Sequence, residues 1–215
     1  VKIGPEYTAA ERLGDGLVVT VRPIRPSDRE SLRSEFLRLS PESRYRRFFA
    51  HLSELSDEML TYMTCVDGVN HFALVATVDS PDLKTERGVG VARFVRTPDT
   101  PDSAEAAVIV VDDMQHRGVG RLLALTLVVA ARERGIKNFG GEVLASNEPM
   151  LKALRESGAT LEDAGAGTVR FNVSIAVQNE PILLRLFREV ARSMTVFLLR
   201  LRPAPGEKPA GGEPS

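Results

Sequence analysis

A chain of 215 residues is long enough for one well-buried domain with extensions and short for two independent ones. Its 28 basic and 29 acidic side chains leave a formal net charge of -1, so no net field draws it to nucleic acid or an anionic membrane, and neither is expected as a partner. The single cysteine, Cys65, cannot close an intrachain disulfide, no charge-free apolar run reaches membrane-spanning length, and the opening VKIGPEYTAAERLGDG lacks the apolar core of a secretion signal; a cytoplasmic location is expected.

Residues 1–17 are expected to form an N-terminal arm. VVTVRP (18–23) is β-rich and ends at a proline, and SDRESLRSEFLRLS (27–40) opens with Ser27 and carries apolar residues at helical spacing. SPESRYRRFF (40–49) is dense in arginine and aromatics. SDEMLTYMT (56–64) predicts a short helix capped by Ser56, in which Cys65 and its neighbours read as packed apolar side chains. HFALVATVD (71–79) and GVGVARFVRT (88–97) predict a hairpin with a long polar link, and SAEAAVIVV (103–111) a third strand after a proline-marked turn. A nearly all-apolar helix follows from Gly118 to the stop at Gly135, then a strand in FGGEVLA (139–145), a helix in NEPMLKALRESGA (147–159) opened by Asn147 and closed by Gly158, and a strand in GTVRFNVSI (167–175). Residues 179–201 form a strongly amphipathic pattern, predicting a C-terminal helix over 176–201 that packs on its own core or forms a homodimer contact. The Pro- and Gly-rich 202–215 reads as a disordered tail.

The chemistry gathers where the strand ending at Val111 meets the helix beginning near Gly118. Amide groups left unpaired at a helix N-terminus bind anions, and glycine permits close approach. The dinucleotide fingerprint fails for want of a glycine at Leu123, and the Walker loop fails for want of Gly-Lys-Ser/Thr. What fits is Q-x-x-G-x-G, from Gln115 through His116, Arg117, Gly118 and Val119 to Gly120. This resembles the acetyl-CoA-binding motif of the GNAT N-acetyltransferase superfamily. The preceding strand, the helix length and the likeness of NEPMLKALRESGA to N-x-x-A-x-x-L-Y-x-x-x-G-F extend the resemblance over residues 18–175.

The resemblance implies an α/β (α+β) GNAT fold: a mixed, mostly antiparallel central sheet of about six to seven strands flanked by helices, with the C-terminal helix added. It implies acetyl-CoA as cosubstrate, with the backbone at Ile109 and Val110 pairing with the pantetheine arm, and Gln115, His116, Arg117, Gly118, Val119, Gly120 and Arg121 around the pyrophosphate. Asn147 matches the asparagine that touches the pantetheine, and equally reads as a helix cap. No metal ligand is assigned.

Transfer to an amine needs a base, because a lysine with an ordinary pKa is neutral only about once in a thousand molecules at pH 7.4, a handicap of roughly 4 kcal/mol. Glu105 is the candidate, since an alanine-rich strand would supply apolar surroundings that favour a carboxyl able to accept a proton near neutral pH. Asp112 and Asp113 are the runners-up, although their place ahead of a helix also reads as charge–dipole pairing. The tyrosine that usually protonates the departing thiolate is Leu154 here, and Tyr7, Tyr45 and Tyr62 lie elsewhere.

SPESRYRRFF, VRPIRPSD and NEPMLKALRESGA further resemble the bacterial Pat-type protein lysine acetyltransferases, which modify acyl-CoA synthetases. Arg44, Arg46 and Arg47 would then line the acceptor entrance, or else decorate a helix surface. The sequence therefore predicts an acetyltransferase acting on protein lysine, with a small-molecule amine acceptor or a non-catalytic acetyl-CoA-binding module as alternatives.

Overall fold

The computed structural model describes residues 2–41, 43–44, 52–80 and 85–176. The predicted C-terminal helix and tail, Tyr45, Arg46 and Arg47 lie outside the described residues. In chain order the strands are β1 (Ala9–Arg12), β2 (Val18–Pro23), β3 (His71–Ser80), β4 (Thr85–Thr97), β5 (Thr100–Val110), β6 (Asn138–Leu144), β7 (Thr160–Gly165) and β8 (Thr168–Ser174). The described helices are α1 (Arg29–Arg38), α2 (Asp57–Thr64), α3 (Val119–Glu133) and α4 (Glu148–Glu156).

The eight strands form one sheet in the order β1-β2-β3-β4-β5-β6-β8-β7. Every pair is antiparallel except β5 with β6, which run parallel. Eight strands replace the expected six to seven because β1 falls inside the predicted arm and β7 in the stretch between 159 and 167 to which the sequence pattern assigns no element. Both are short, polar edge strands: AAER and TLEDAG carry almost no alternating apolar residues, so no period-2 signal marks them.

The two faces of the sheet are covered differently. On one, Gly90, Ala92 and Phe94 of β4 and Ala106 and Val108 of β5 meet α3, whose Leu123, Leu127 and Ala130 are buried. Gly90 is required there, because a Cβ would lie 2.9 Å from both the Ile109 carbonyl oxygen and Leu123 Cδ1. Helix α3 is not apolar all round in its setting, since Val129 is exposed. On the other face, Leu32, Phe36 and Leu39 from α1 and its end, with Met63 of α2, enclose a small apolar cavity against Val75, Val91 and Ile109.

Caps account for the helix starts. Ser56 Oγ accepts from the Met59 amide at 3.2 Å, opening α2 as predicted. Helix α1 begins at Arg29 after a 3-10 turn over Pro26–Asp28, and Asp28 rather than Ser27 ties that turn, accepting from the Arg25 amide at 2.7 Å. Cys65 caps the end of α2 and is exposed, contrary to the packed position expected from its apolar neighbours.

Candidate active site

The parallel pairing of β5 with β6 covers only Ser103–Asn138, Ala104–Phe139 and Glu105–Gly140. Beyond that point β5 continues beside β4, and β6 beside β8, so the two strands part. Peptide groups in a strand face alternate sides. The Val111 amide donates to the Val89 carbonyl at 3.0 Å, whereas the Asp102 carbonyl accepts from the Lys137 amide at 2.7 Å on the β6 side. Odd-numbered residues of β5 therefore bond β4. The peptide groups of Val108 and Val110 turn toward the gap, beyond the last pairing with β6, where no described strand pairs with them.

This alternation changes one expected contact. Ile109 faces β4 with its peptide groups, so its amide and carbonyl are already engaged in the sheet, and Val108 takes its place at the gap beside Val110. The Val110 carbonyl accepts from Gln115 Nε2 at 3.1 Å, which leaves the Val110 N–H as its group facing the gap.

At the open end of the gap, β5 runs into a 3-10 turn over Asp112–Met114 and then the glycine turn. Gln115 is not directed at a ligand: its amide donates to the Val110 carbonyl and, at 2.8 Å, to Asp112 Oδ1. Asp112 also accepts from the Ser40 amide and from Ser43 Oγ, each at 2.6 Å, tying the end of α1 to this turn. Asp113 is bound by both terminal nitrogens of Arg87, at 2.8 and 3.0 Å, and Arg87 also grips Glu35. Both runner-up bases thus serve as structural acceptors.

His116 has φ 60° and Gly118 φ 99°, two left-handed residues separated by one. Such a backbone gathers successive N–H groups on one side. A Cβ at Gly118 would meet only Leu13 Cδ2, at 3.8 Å, so glycine is needed for its conformation more than for space. A side chain in that region costs about 1–2 kcal/mol. Histidine, with asparagine and aspartate, tolerates positive φ better than most. His116 and Arg121 are exposed, Arg117 half-buried, and Val119 and Gly120 buried in the first turn of α3.

At the closed end, a polar cleft of about 510 Å³ opens on the sheet beside the point where the strands part. Glu105 lines it, with Ser103, Thr97, Glu142, Glu162 and Arg170. The alanines expected to surround Glu105 do so only in part: Ala104 and Ala106 point to the opposite face, and Ala107 alone shares its side. The Glu105 carboxyl is half-buried in a polar setting rather than an apolar one. Glu142 is held by Arg170 at 3.0 Å.

His71 lies in the same cross-strand row, two strands from Glu105 with Val95 between them. Burial and the neighbouring Arg93 guanidinium push its imidazole down to about 4, so at physiological pH it is the neutral imidazole and not an imidazolium acid. Sequence reasoning did not single it out, because a lone histidine at a strand start carries no periodic signal.

Asn147 caps α4, its side chain accepting from the Met150 amide at 3.3 Å. Leu154, at the position where the family usually carries a tyrosine, is fully buried in the core. Arg44 does not line an entrance: its guanidinium donates to the carbonyls of Leu37, Leu39 and Ser53 and lies 4.9 Å from the Phe36 ring centre.

Residues 29–159 match the acetyltransferase (GNAT) family. Acetyltransferase Pat of Mycolicibacterium smegmatis is 32% identical over 178 residues, 81% of this chain; the chain spans about half of that protein, 52% of its length. Acetyltransferase PA5475 of Pseudomonas aeruginosa is 33% identical over 140 residues, 65% of this chain and 74% of its own. The GNAT domain of S. lividans PAT superposes with a TM-score of 0.68 at 35% identity, covering 78% of this chain and 96% of that domain. With a glycine turn, a parted pair of parallel strands and these relatives in hand, the chain belongs to the GNAT family of acetyltransferases, a family that uses acetyl-CoA, and is related to the Pat acetyltransferases.

Proposed function

We propose that this protein transfers acetyl from acetyl-CoA to the ε-amine of lysine on a protein substrate, such as an acyl-CoA synthetase, with Glu105 as the general base. The observation that carries the reading is the parting of β5 from β6 immediately after Glu105, with the glycine turn at the far end of the same strand. Five residues of strand separate Glu105 from Val110, roughly 17 Å, so one continuous edge joins the carboxyl to the anion cradle.

Acetyl-CoA supplies an activated thioester. The amides of His116, Arg117, Gly118, Val119, Gly120 and Arg121 hold its diphosphate, and each charge-assisted hydrogen bond contributes about 1.5–3 kcal/mol. The Val108 peptide groups and the Val110 N–H hold the arm as an added strand would be held, and Gln115 supports them from behind. Asn147 both caps α4 and faces the arm. Glu105 takes a proton from the lysine ammonium, the neutral amine forms a C–N bond at the thioester carbonyl, and as the C–S bond breaks solvent protonates the departing thiolate, which a thiol pKa near 8.5 permits.

The acceptor reading is supported by the relation to the Pat acetyltransferases and by the Glu105, Glu142 and Glu162 carboxyls in the cleft, which suit a cationic side chain. Its test is incubation of the purified protein with acetyl-CoA and a cell extract split into protein and small-molecule fractions, following thiol release and acetyl-lysine by mass spectrometry. Acetylated lysines with thiol release in the protein fraction alone are expected. Release only with small molecules would move the assignment to a metabolite enzyme, and release with neither to a binding module.

A further inference from the structure

We propose that Asp15, in the turn between β1 and β2, is a positioning residue of the diphosphate cradle and acts through Arg117. The inference rests on the acetyl-CoA reading of the glycine turn and adds to it a segment, the N-terminal hairpin, that lies outside the family match beginning at residue 29.

A strained left-handed residue persists only where its surroundings over-determine it. His116 is such a residue, and both of its neighbours are fastened. On one side Gln115 is tied to the Val110 carbonyl and to Asp112. On the other, Arg117 Nε donates to Asp15 Oδ2 at 2.6 Å, and its Nη1 lies 3.2 Å from the Met114 sulfur.

Asp15 is itself fixed. Its second oxygen accepts from the Leu17 amide at 3.0 Å, inside a turn closed by Leu13 N–H to Leu17 carbonyl at 2.8 Å and Gly16 N–H to Leu13 carbonyl at 2.9 Å. The Leu17 amide and then Arg117 hold its carboxyl below the ordinary range, so it is ionised throughout the working pH range. From the same turn, Leu13 Cδ2 reaches to 3.8 Å from where a Gly118 Cβ would stand. The hairpin therefore backs residues 117 and 118 together.

The partners lie 102 residues apart in sequence, and their side chains are 36% and 37% exposed. An exposed pair of this kind adds little to global stability. Its consequence is local: it fixes the direction of the Arg117 side chain and so the tilt of the peptides flanking it.

Calorimetric titration of acetyl-CoA into wild type, Asp15→Asn and Asp15→Glu tests this. Asp15→Asn is expected to weaken binding about threefold to tenfold with kcat at saturating acetyl-CoA within twofold of wild type, and Asp15→Glu to restore most of the affinity. Asp15→Asn combined with Arg117→Gln is expected to bind no more weakly than Arg117→Gln alone. Acetyl-pantetheine, which lacks the diphosphate, should show the same KM with wild type and Asp15→Asn. Asp15→Asn binding acetyl-CoA as tightly as wild type, or more tightly, would overturn the inference alone. Absence of binding by the wild type would overturn the acetyl-CoA reading and the inference with it.

Discussion

The two ends of β5 are built from different materials. What the Val110 end presents is backbone: two left-handed residues, the start of α3 and the peptide groups facing the gap, while the nearby carboxylates Asp112 and Asp113 are engaged within the protein. At the Glu105 end the cleft is lined by carboxylates, hydroxyls and an arginine drawn from five strands. In the proposed function the backbone end takes what the family shares, the coenzyme, and the cleft of side chains distinguishes the acceptor, since changing one residue changes one contact.

If the ends are separate in function, substitutions at each should separate in kinetics. Glu105→Gln is expected to lower turnover at neutral pH by about 10²–10⁴-fold, the usual range for loss of a general base, with acetyl-CoA affinity within twofold. An unchanged rate would remove Glu105 as the base, and a matched loss of affinity would erase the distinction between the ends. Asp112→Ala leaves the Ser40 amide and Ser43 hydroxyl without this acceptor and removes one of the two acceptors of the Gln115 amide, and should cost about 2–3 kcal/mol of folding stability in denaturant titration together with weakened acetyl-CoA binding. Gly118→Ala introduces strain of about 1–2 kcal/mol at φ 99°, so the thermal shift given by acetyl-CoA should shrink as the Kd rises about tenfold, while the acceptor KM holds.

The smallest effect concerns the Arg87 brace behind the cradle. Hydrogen bonding from Arg87 is the main cause that holds the Asp113 carboxyl below its ordinary 3.8. A depressed folded-state pKa gives stability that is present above the unfolded value and lost as pH falls through the folded one. Asp113→Asn should therefore lower Tm slightly at pH 7, with the difference from wild type shrinking as pH falls below 3.8 and vanishing only below the depressed folded-state pKa. A Tm gap that persists in acid would assign the loss to packing rather than charge.

The glycine turn was legible in the sequence because its requirements are conformational: a glycine that must be left-handed, and an apolar strand and helix on either side, leave local marks. The helix caps at Ser56 and Asn147 were legible for the same reason. What the residues did not reveal is what depends on register and distant partners. Which of Ile109 or Val108 faces the gap follows from the β4–β5 pairing, and no local pattern carries it. The polar setting of Glu105 arises because β7 and β8 bring Glu162, Arg170 and Asn172 alongside, and β7 is too polar to mark itself as a strand. The tie from Asp15 to Arg117 joins the hairpin to a turn 102 residues later.

Backbone recognition along the open edge of β5 is the central claim, and amide hydrogen exchange read residue by residue by NMR, with and without acetyl-CoA, tests it most directly. Acetyl-CoA is predicted to slow exchange strongly at Val108, Val110 and the amides of 116–121, with little change at Ile109, which already donates into β4. Binding that leaves Val108, Val110 and the glycine-turn amides exchanging as fast as in the free protein would contradict it.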